Sequence, residues 1–217
     1  MAVLRLVVRM VQDLPTFDIE RSLSQPRGAH IAGVDEVGRG PLAGPVVAAA
    51  VILDPDNIPD GLNDSKKLGR ARLNSLDKVL RQVASIGIGM ASVAEIDEIN
   101  ILRASHLAMT RAIAALPVAP RHVLIDGNMI PRDLTLPATA LIKGDSKSMS
   151  VAAASIVAKV LRDRLMVDLA QQYPGYGWQN NAGYPTAQHR EALSRMGVTP
   201  HHRRSFKPVH NILYQEK

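Results

Sequence analysis

The sequence predicts an α/β fold in which one sheet is flanked by helices. Two observations lead to this class: β-type apolar runs recur along the chain, and stretches with helical spacing of apolar residues lie between several of them. The length of 217 residues suits one domain with a buried core and a modest appendage. We therefore expect a leader at 1–29, a core at 30–171 and a helical, aromatic C-terminal lobe at 172–217.

Each predicted element rests on a local pattern. The first two strands are apolar with small or β-branched residues, the third alternates small and apolar residues, and the last two are short apolar runs that lead toward acids. The helices follow leucine and isoleucine spacing or, in the longest, a run of small residues. The predicted strands are 30–36, 46–54, 85–93, 122–126 and 138–142, and the predicted helices are 17–23, 70–82, 95–116 (one helix or a pair), 148–171 and 186–196.

Acidic residues stand at the ends of three predicted strands. Asp35 and Glu36 close strand one, Asp126 closes strand four, and Asp145 follows strand five. Strand ends can converge on one cleft, although Asp35 and Glu36 point to opposite faces unless the chain bends at the glycines that follow. Oxygen ligands in this number suit Mg²⁺ or Mn²⁺, and two such ions could drive phosphodiester hydrolysis. The alternative is that Asp126 and Asp145 only open turns.

The loop after strand one allows a second interpretation. Gly38, Gly40 and Ala43 match the G-x-G-x-x-A dinucleotide fingerprint. That fingerprint requires a helix N-terminus aimed at a pyrophosphate, whereas 46–53 is an apolar run of β type. Two carboxylates just before the loop would also repel a pyrophosphate that no metal neutralises, so the pattern favours the metal site.

Composition limits the partners and ligands. Lys and Arg number 26 against 20 Asp and Glu, and the net charge of +6 favours a polyanionic partner. Cysteine is absent, so a metal would bind oxygen or imidazole ligands. No run approaches the ~20 apolar residues of a membrane helix, and we expect a cytoplasmic protein. Basic charge and the aromatic cluster at 173–184 would also fit a non-catalytic RNA-binding module, which leaves the acids unexplained.

Six short motifs follow one another along the chain. They are 33–45 (GVDEVGRGPLAGP), 63–68 (NDSKKL), 125–128 (IDGN), 143–146 (KGDS), 152–159 (AAASIVAK) and 202–206 (HRRSF). In this order they resemble the bacterial ribonuclease HII family. The resemblance implies an RNase H-like fold, a mixed five-stranded sheet with flanking helices and a helical C-terminal part. It also implies hydrolysis of RNA in RNA–DNA hybrids with Mn²⁺ or Mg²⁺.

The resemblance assigns roles to particular residues. Asp35, Glu36, Asp126 and Asp145 match the family's metal-binding acids, which are its catalytic residues. The loop of Gly38, Arg39 and Gly40 matches the one that recognises the ribose 2′-hydroxyl, and Tyr184 matches the tyrosine that packs on the sugar beyond the RNA-to-DNA junction. The basic residues expected to contact phosphates are Lys66, Lys67, Lys143, Arg203 and Arg204.

These roles describe a site that recognises an RNA-to-DNA step. We therefore expect incision on the 5′ side of a single ribonucleotide in duplex DNA, by a monomer whose partners are RNA–DNA hybrids and DNA containing ribonucleotides. One departure from the family is Asn181-Ala182, where many relatives have His-Lys before the Gly-Tyr pair.

Overall fold

The computed structural model describes residues 14–24 and 28–214. Its strands are β1 (Ile31–Val37), β2 (Val46–Ile52), β3 (Ser85–Ala91), β4 (His122–Asp126) and β5 (Ala138–Leu141). They form one sheet in the order β3-β2-β1-β4-β5. The pairs β1–β2 and β2–β3 are antiparallel, and β1–β4 and β4–β5 are parallel. The predicted α/β class and mixed five-stranded sheet are confirmed.

Seven helices lie within the described residues. They are α1 (Asp18–Leu23), α2 (Arg70–Val83), α3 (Val93–Ala114), α4 (Met149–Gln172), α5 (Trp178–Asn181), α6 (Ala187–Met196) and α7 (Lys207–Tyr214). The sequence predicted five of them and missed α5 and α7. Asn100 breaks α3 into two helical segments, with φ 67° and ψ 163°, so the prediction of a pair is the better one.

Helices cover both faces of the sheet. On one face, α2 and α4 pack over a core that includes Ala49 and Val51 of β2. On the other face, α3 packs over Ala48 and Ala50. A Cβ at Gly33 would overlap the backbone of Ser150, so glycine is needed in β1 for α4 to approach this closely. This close packing positions α4 directly beneath the middle of β1.

The segment between β1 and β2 is not a dinucleotide-binding loop. It joins two antiparallel strands, with Val37 paired to Val47, and no helix begins where the fingerprint requires one. The match of Gly38, Gly40 and Ala43 to that fingerprint is therefore accidental. The glycines serve a different purpose, described with the site below.

The described part of the predicted leader packs on the core. Thr16 exchanges backbone hydrogen bonds with Lys147 and Met149, at 3.1 and 3.0 Å. Buried Glu20 accepts hydrogen bonds from Ser148 Oγ at 2.6 Å and from Ser150 N at 2.9 Å, at the start of α4. The rest of the leader, 1–13 and 25–27, lies outside the described residues, and the boundary at 29 stays a prediction.

None of the helices described, from α1 to α7, is long and apolar enough to cross a membrane.

Candidate active site

The register of the parallel pair β1–β4 brings two acids together. Val34 pairs with Ile125, so Asp35 and Asp126 occupy neighbouring positions one residue further along, on the same face of the sheet. Asp35 is 7% exposed, and the Ser155 hydroxyl of α4 contacts it. Burial, with added repulsion from the neighbouring carboxylates, raises the pKa of Asp35 well above its ordinary value.

Glu36 lies beside this pair without a bend in the chain. Strand β1 continues to Val37, so the expected bend does not occur within the strand. Among neighbouring charges, Glu36 nevertheless contributes most to the raised pKa of Asp35. The Arg39 side chain approaches Glu36 Oε1 at 3.3 Å and partly neutralises it. Burial still raises the pKa of Glu36 to about 7, with Asp126 adding repulsion. Its charge therefore belongs to the same electrostatic cluster.

Asp145 enters from the loop after β5 and lies beside an acid that the sequence did not single out, Asp64. Asp145 is part of a short 3₁₀ turn, Gly144–Ser146, and is buried. Burial and repulsion from Asp64 and Asp126 raise the pKa of Asp145. Asp64 caps the 3₁₀ turn Ser65–Lys67 by accepting a hydrogen bond from Lys66 N at 2.9 Å. In the sequence Asp64 stands in a polar turn, and only the fold brings it beside Asp145.

Lys66 supplies a positive charge to the same cluster. Its own partial burial lowers its pKa, but the carboxylates of Asp64, Asp145 and the β1–β4 pair outweigh that effect and raise it. Lys67, Lys143 and Arg204 are also exposed, as phosphate contacts would need to be. The prediction for Arg203 is wrong as drawn, because its side chain is fully buried and cannot reach a phosphate on the surface.

The acids fit a divalent cation by their chemistry. They are oxygen donors that repel one another in a partly buried site, which is the environment that a cation neutralises. Within residues 14–24 and 28–214, no three Asp, Glu or His side chains are already arranged to hold an ion. Asp126 Oδ1 accepts a hydrogen bond from Gly144 N at 2.7 Å. The assignment of Asp35, Glu36, Asp126 and Asp145 as ligands stays a prediction.

The Gly38–Gly40 loop contacts Tyr184. Gly38 has φ 99°, a conformation that favours glycine, and a side chain there would overlap the Arg162 guanidinium. A Cβ built on Gly40 would lie 3.3 Å from Tyr184 Cε1, so the tyrosine ring lies directly against this glycine. Tyr184 is 43% exposed. Two predicted substrate-contacting elements, far apart in sequence, thus form one surface.

Asn181 and Ala182, which replace His-Lys, have local structural roles. The Asn181 side chain donates to Tyr176 O and accepts from Gly183 N, both at 2.8 Å. The Ala182 carbonyl accepts from Arg162 Nη1 at 2.9 Å. These bonds hold the turn that presents Tyr184. At this point the chain presents no side-chain cation.

The aromatic cluster of the lobe is mostly core. Tyr176 and Trp178 are buried and stacked, with ring centroids 5.1 Å apart, and His189 and His202 pack around them. Of the four aromatic residues at 173–184, Tyr184 is the one that stands well exposed. The lobe therefore owes its aromatic content to its own packing.

Known proteins provide a comparison for this site and fold. The family model for ribonuclease HII matches residues 32–209. Ribonuclease HII of Ruegeria pomeroyi is 67% identical over 202 residues, which cover 93% of this chain and 86% of that protein. Ribonuclease HII of Paracoccus denitrificans is 61% identical over 203 residues, covering 94% and 97%.

Solved structures give the same fold. Ribonuclease H2 from Pyrococcus horikoshii has a TM-score of 0.71 at 29% identity, covering 84% of this chain and 96% of that one. A complex of Bst-RNase HIII with Mn²⁺ has a TM-score of 0.70 at 21% identity, covering 87% and 70%. The RNase H-like architecture that the motifs implied is therefore confirmed.

Proposed function

This chain belongs to the ribonuclease HII family, and from that membership we propose that it incises duplex DNA on the 5′ side of a single embedded ribonucleotide. As a member of the family it is a divalent-metal-dependent endoribonuclease that acts on the RNA strand of RNA–DNA hybrids. The non-catalytic RNA-binding alternative is thereby excluded.

The contact between Gly40 and Tyr184 carries the proposal. The amides of a Gly-Arg-Gly loop can bond a 2′-hydroxyl without bulk in the way, and the adjacent ring can pack on a sugar that lacks one. A ribose on the loop and a deoxyribose on Tyr184 make one RNA-to-DNA step. This geometry supports recognition of a junction, for which one ribonucleotide is sufficient.

The acids would supply the chemistry. We assign Asp35, Glu36, Asp126 and Asp145 as ligands of Mn²⁺ or Mg²⁺, which would activate a water and stabilise the leaving oxygen as two ions do in other phosphodiesterases. Asp35 and Asp126, adjacent on one face, are the pair best placed to share an ion. Lys66 would stabilise negative charge at the scissile phosphate. Attack by water leaves a 3′-hydroxyl and a 5′-phosphate.

The test uses three end-labelled duplexes: one with a single ribonucleotide, one with a continuous RNA strand, and one of DNA only. With Mg²⁺ or Mn²⁺ we expect the first two to be cut and the third to remain intact. The single-ribonucleotide product should end in a 3′-hydroxyl immediately 5′ of the ribose. Cleavage of the continuous RNA strand alone, or a 2′,3′-cyclic phosphate, would contradict junction recognition.

Replacement of Tyr184 separates junction recognition from general catalysis. Stacking contacts of this kind contribute about 1 to 3 kcal/mol by alanine substitution. Tyr184→Ala should therefore lower incision at a single ribonucleotide about 5- to 150-fold, whereas Tyr184→Phe, which keeps the ring, should stay near wild type. Equal activity of the alanine variant on the single-ribonucleotide duplex would remove Tyr184 from the site.

A further inference from the structure

Two buried arginines lie beneath the loop 38–45 without a carboxylate partner. Arg162 of α4 and Arg203 of the lobe are 1% and 0% exposed. Among the described side chains, no Asp or Glu approaches either guanidinium within 4.0 Å. Burial lowers the pKa of Arg162 to about 10 and that of Arg203 to about 9. Burial of two neighbouring cations carries a desolvation cost, which hydrogen bonds from the guanidinium groups must offset.

The hydrogen bonds of Arg203 go to the loop backbone. Its Nη2 donates to Gly38 O at 2.6 Å, its Nη1 donates to Arg39 O at 3.0 Å, and Nε and Nη2 donate to Gly44 O at 2.9 and 2.8 Å. Arg162 holds the far side of the same loop, donating to the carbonyls of Ala43 and Pro45 at 3.1 and 3.0 Å. Each guanidinium thus fixes several peptide planes at once.

These bonds decide which way the loop amides point. In a planar trans peptide, the carbonyl of one residue and the N–H of the next point in opposite directions. Because the carbonyls of Gly38 and Arg39 point at Arg203, the N–H groups of Arg39 and Gly40 point away from it. Neither N–H donates a hydrogen bond to any group that the structure describes. Two adjacent donors are therefore left for a ligand, beside the ring of Tyr184.

We propose that Arg203, supported by Arg162, is a positioning residue that turns the amides of Arg39 and Gly40 outward to recognise the ribose 2′-hydroxyl. This inference rests on the proposed function of the loop. Lysine cannot replace arginine here, because one ammonium cannot bond three carbonyls in the plane that the guanidinium fork provides.

The test compares Arg203→Lys with Arg190→Lys, a matched change at an exposed arginine of the same lobe. Affinity is measured by fluorescence anisotropy for a duplex with one ribonucleotide and for the same sequence in DNA. EDTA prevents metal-dependent cleavage. We expect wild type and Arg190→Lys to bind the ribonucleotide duplex more tightly than the DNA duplex. In Arg203→Lys the ratio of the two affinities should be about tenfold smaller, as loss of one or two hydrogen bonds would give. Affinity for all-DNA duplex should be unchanged.

The outcomes separate this inference from the proposed function. Full preference in folded Arg203→Lys overturns the positioning role and leaves the function intact. If wild type shows no preference for the ribonucleotide duplex and no incision of it, the function and the inference fail together.

If Arg203→Lys does not fold, NMR of the wild-type protein decides. The Arg39 and Gly40 amide resonances should shift with the ribonucleotide duplex and not with DNA alone, while the Arg203 Nε–H exchanges slowly. Unresponsive amides or a rapidly exchanging Nε–H would overturn the inference.

Discussion

Two buried histidines in the lobe form a chain of hydrogen bonds that requires both rings to be neutral. Thr199 N donates to His202 Nδ1 at 3.0 Å, so the proton of His202 lies on Nε2 and is donated to His189 Nε2 at 3.1 Å. Trp178 Nε1 also donates to His189 Nε2, which leaves the Nδ1 proton of His189 for the Tyr184 carbonyl at 2.9 Å. The chain therefore ends at the residue that we place against the substrate.

This neutral pair predicts a loss of stability in acid. Burial, with the neighbouring histidines, lowers the pKa of His202 to about 3, whereas the unfolded chain takes up that proton near pH 6.5. Between these two pKa values the unfolded state binds one more proton at this group than the folded state does. The contribution of His202 should therefore lower the free energy of unfolding by about 1.4 kcal/mol for each unit by which the pH is lowered. Urea unfolding at several pH values checks this expectation.

His202→Asn is the control for that measurement. It keeps an acceptor for Thr199 N and cannot be protonated, so its unfolding free energy should depend less steeply on pH between 6.5 and 4. An equal slope in both proteins would assign the acid sensitivity to other groups.

Asp126 offers the sharpest test of the metal site. Asp126→Asn keeps an oxygen for the bond from Gly144 N but removes the ligand charge. Cleavage should fall by more than about a hundredfold, while the fold and hybrid binding persist. Asp168→Asn, at an exposed position of α4, is the matched control. Near wild-type cleavage by Asp126→Asn in Mg²⁺ would mean that Asp126 is not a ligand of the catalytic metal.

At the residue scale, the local sequence indicates which chemical groups are available, but it does not indicate where their side chains point. Asp35 and Asp126 could be singled out because each ends an apolar run, and the sheet register then makes them neighbours. Arg203 could not be assigned correctly, because the sequence of its motif does not show which of two adjacent arginines is buried and which is exposed. Asp64 was missed because an aspartate is common in a polar turn such as its own and needs no further role there. Its approach to Asp145 depends on the packing of segments that are distant in sequence.

At the scale of elements, the start of α4 depends on a residue of α1. Its N-cap Ser148 accepts from Val151 N, and the Glu20 carboxylate accepts from Ser148 Oγ and Ser150 N, near the positive end of the helix dipole. Helix α4 carries both Ser155, which contacts Asp35, and Arg162, which holds the loop 38–45. Glu20 thus stabilises the helix that positions these residues, although Glu20 itself belongs to none of the six sequence motifs.

Removal of that carboxylate should be costly. Glu20→Ala is expected to lower the free energy of unfolding by about 3 kcal/mol, because it removes two buried bonds to a charged acceptor. Asp18→Ala, at an exposed position of the same helix, should change it by less than about 0.5 kcal/mol. Denaturant titration of the two variants decides: similar midpoints would show that α1 contributes little to the core.

Elements with long, regular patterns were predictable, whereas those made by tertiary packing were not. Predictions for α2, α4 and α6 came within a residue or two of their bounds because periodicity and small residues define them. Helix α5 has four residues and starts at a left-handed glycine, and α7 has eight, too few for a clear period. Both take their conformation from packing around Trp178 and Val209.

At the scale of the molecule, the loop 38–45 is where the core and the lobe meet. Leu42 and Ala43 belong to the hydrophobic core of the lobe. Backbone bonds join Leu42 N to Gly183 O at 2.8 Å and Gly44 N to His201 O at 2.9 Å. The lobe and the loop 38–45 are thus one structural unit, so packing brings motifs from both ends of the chain together.

The net charge of +6 should act through exposed cations and not through the buried arginines. Removal of one cation that neutralises a phosphate lowers the slope of log K against log salt by about 0.9. Lys143→Ala and Arg204→Ala should each reduce the slope by about one unit, while Lys78→Ala, on the exposed side of α2, should leave it unchanged. The slope is obtained from the binding constant for an all-DNA duplex measured at salt concentrations from roughly 50 to 200 mM, a range over which such slopes are resolved. Equal slopes in all four proteins would mean that Lys143 and Arg204 do not contact the backbone, and that the duplex lies along another face.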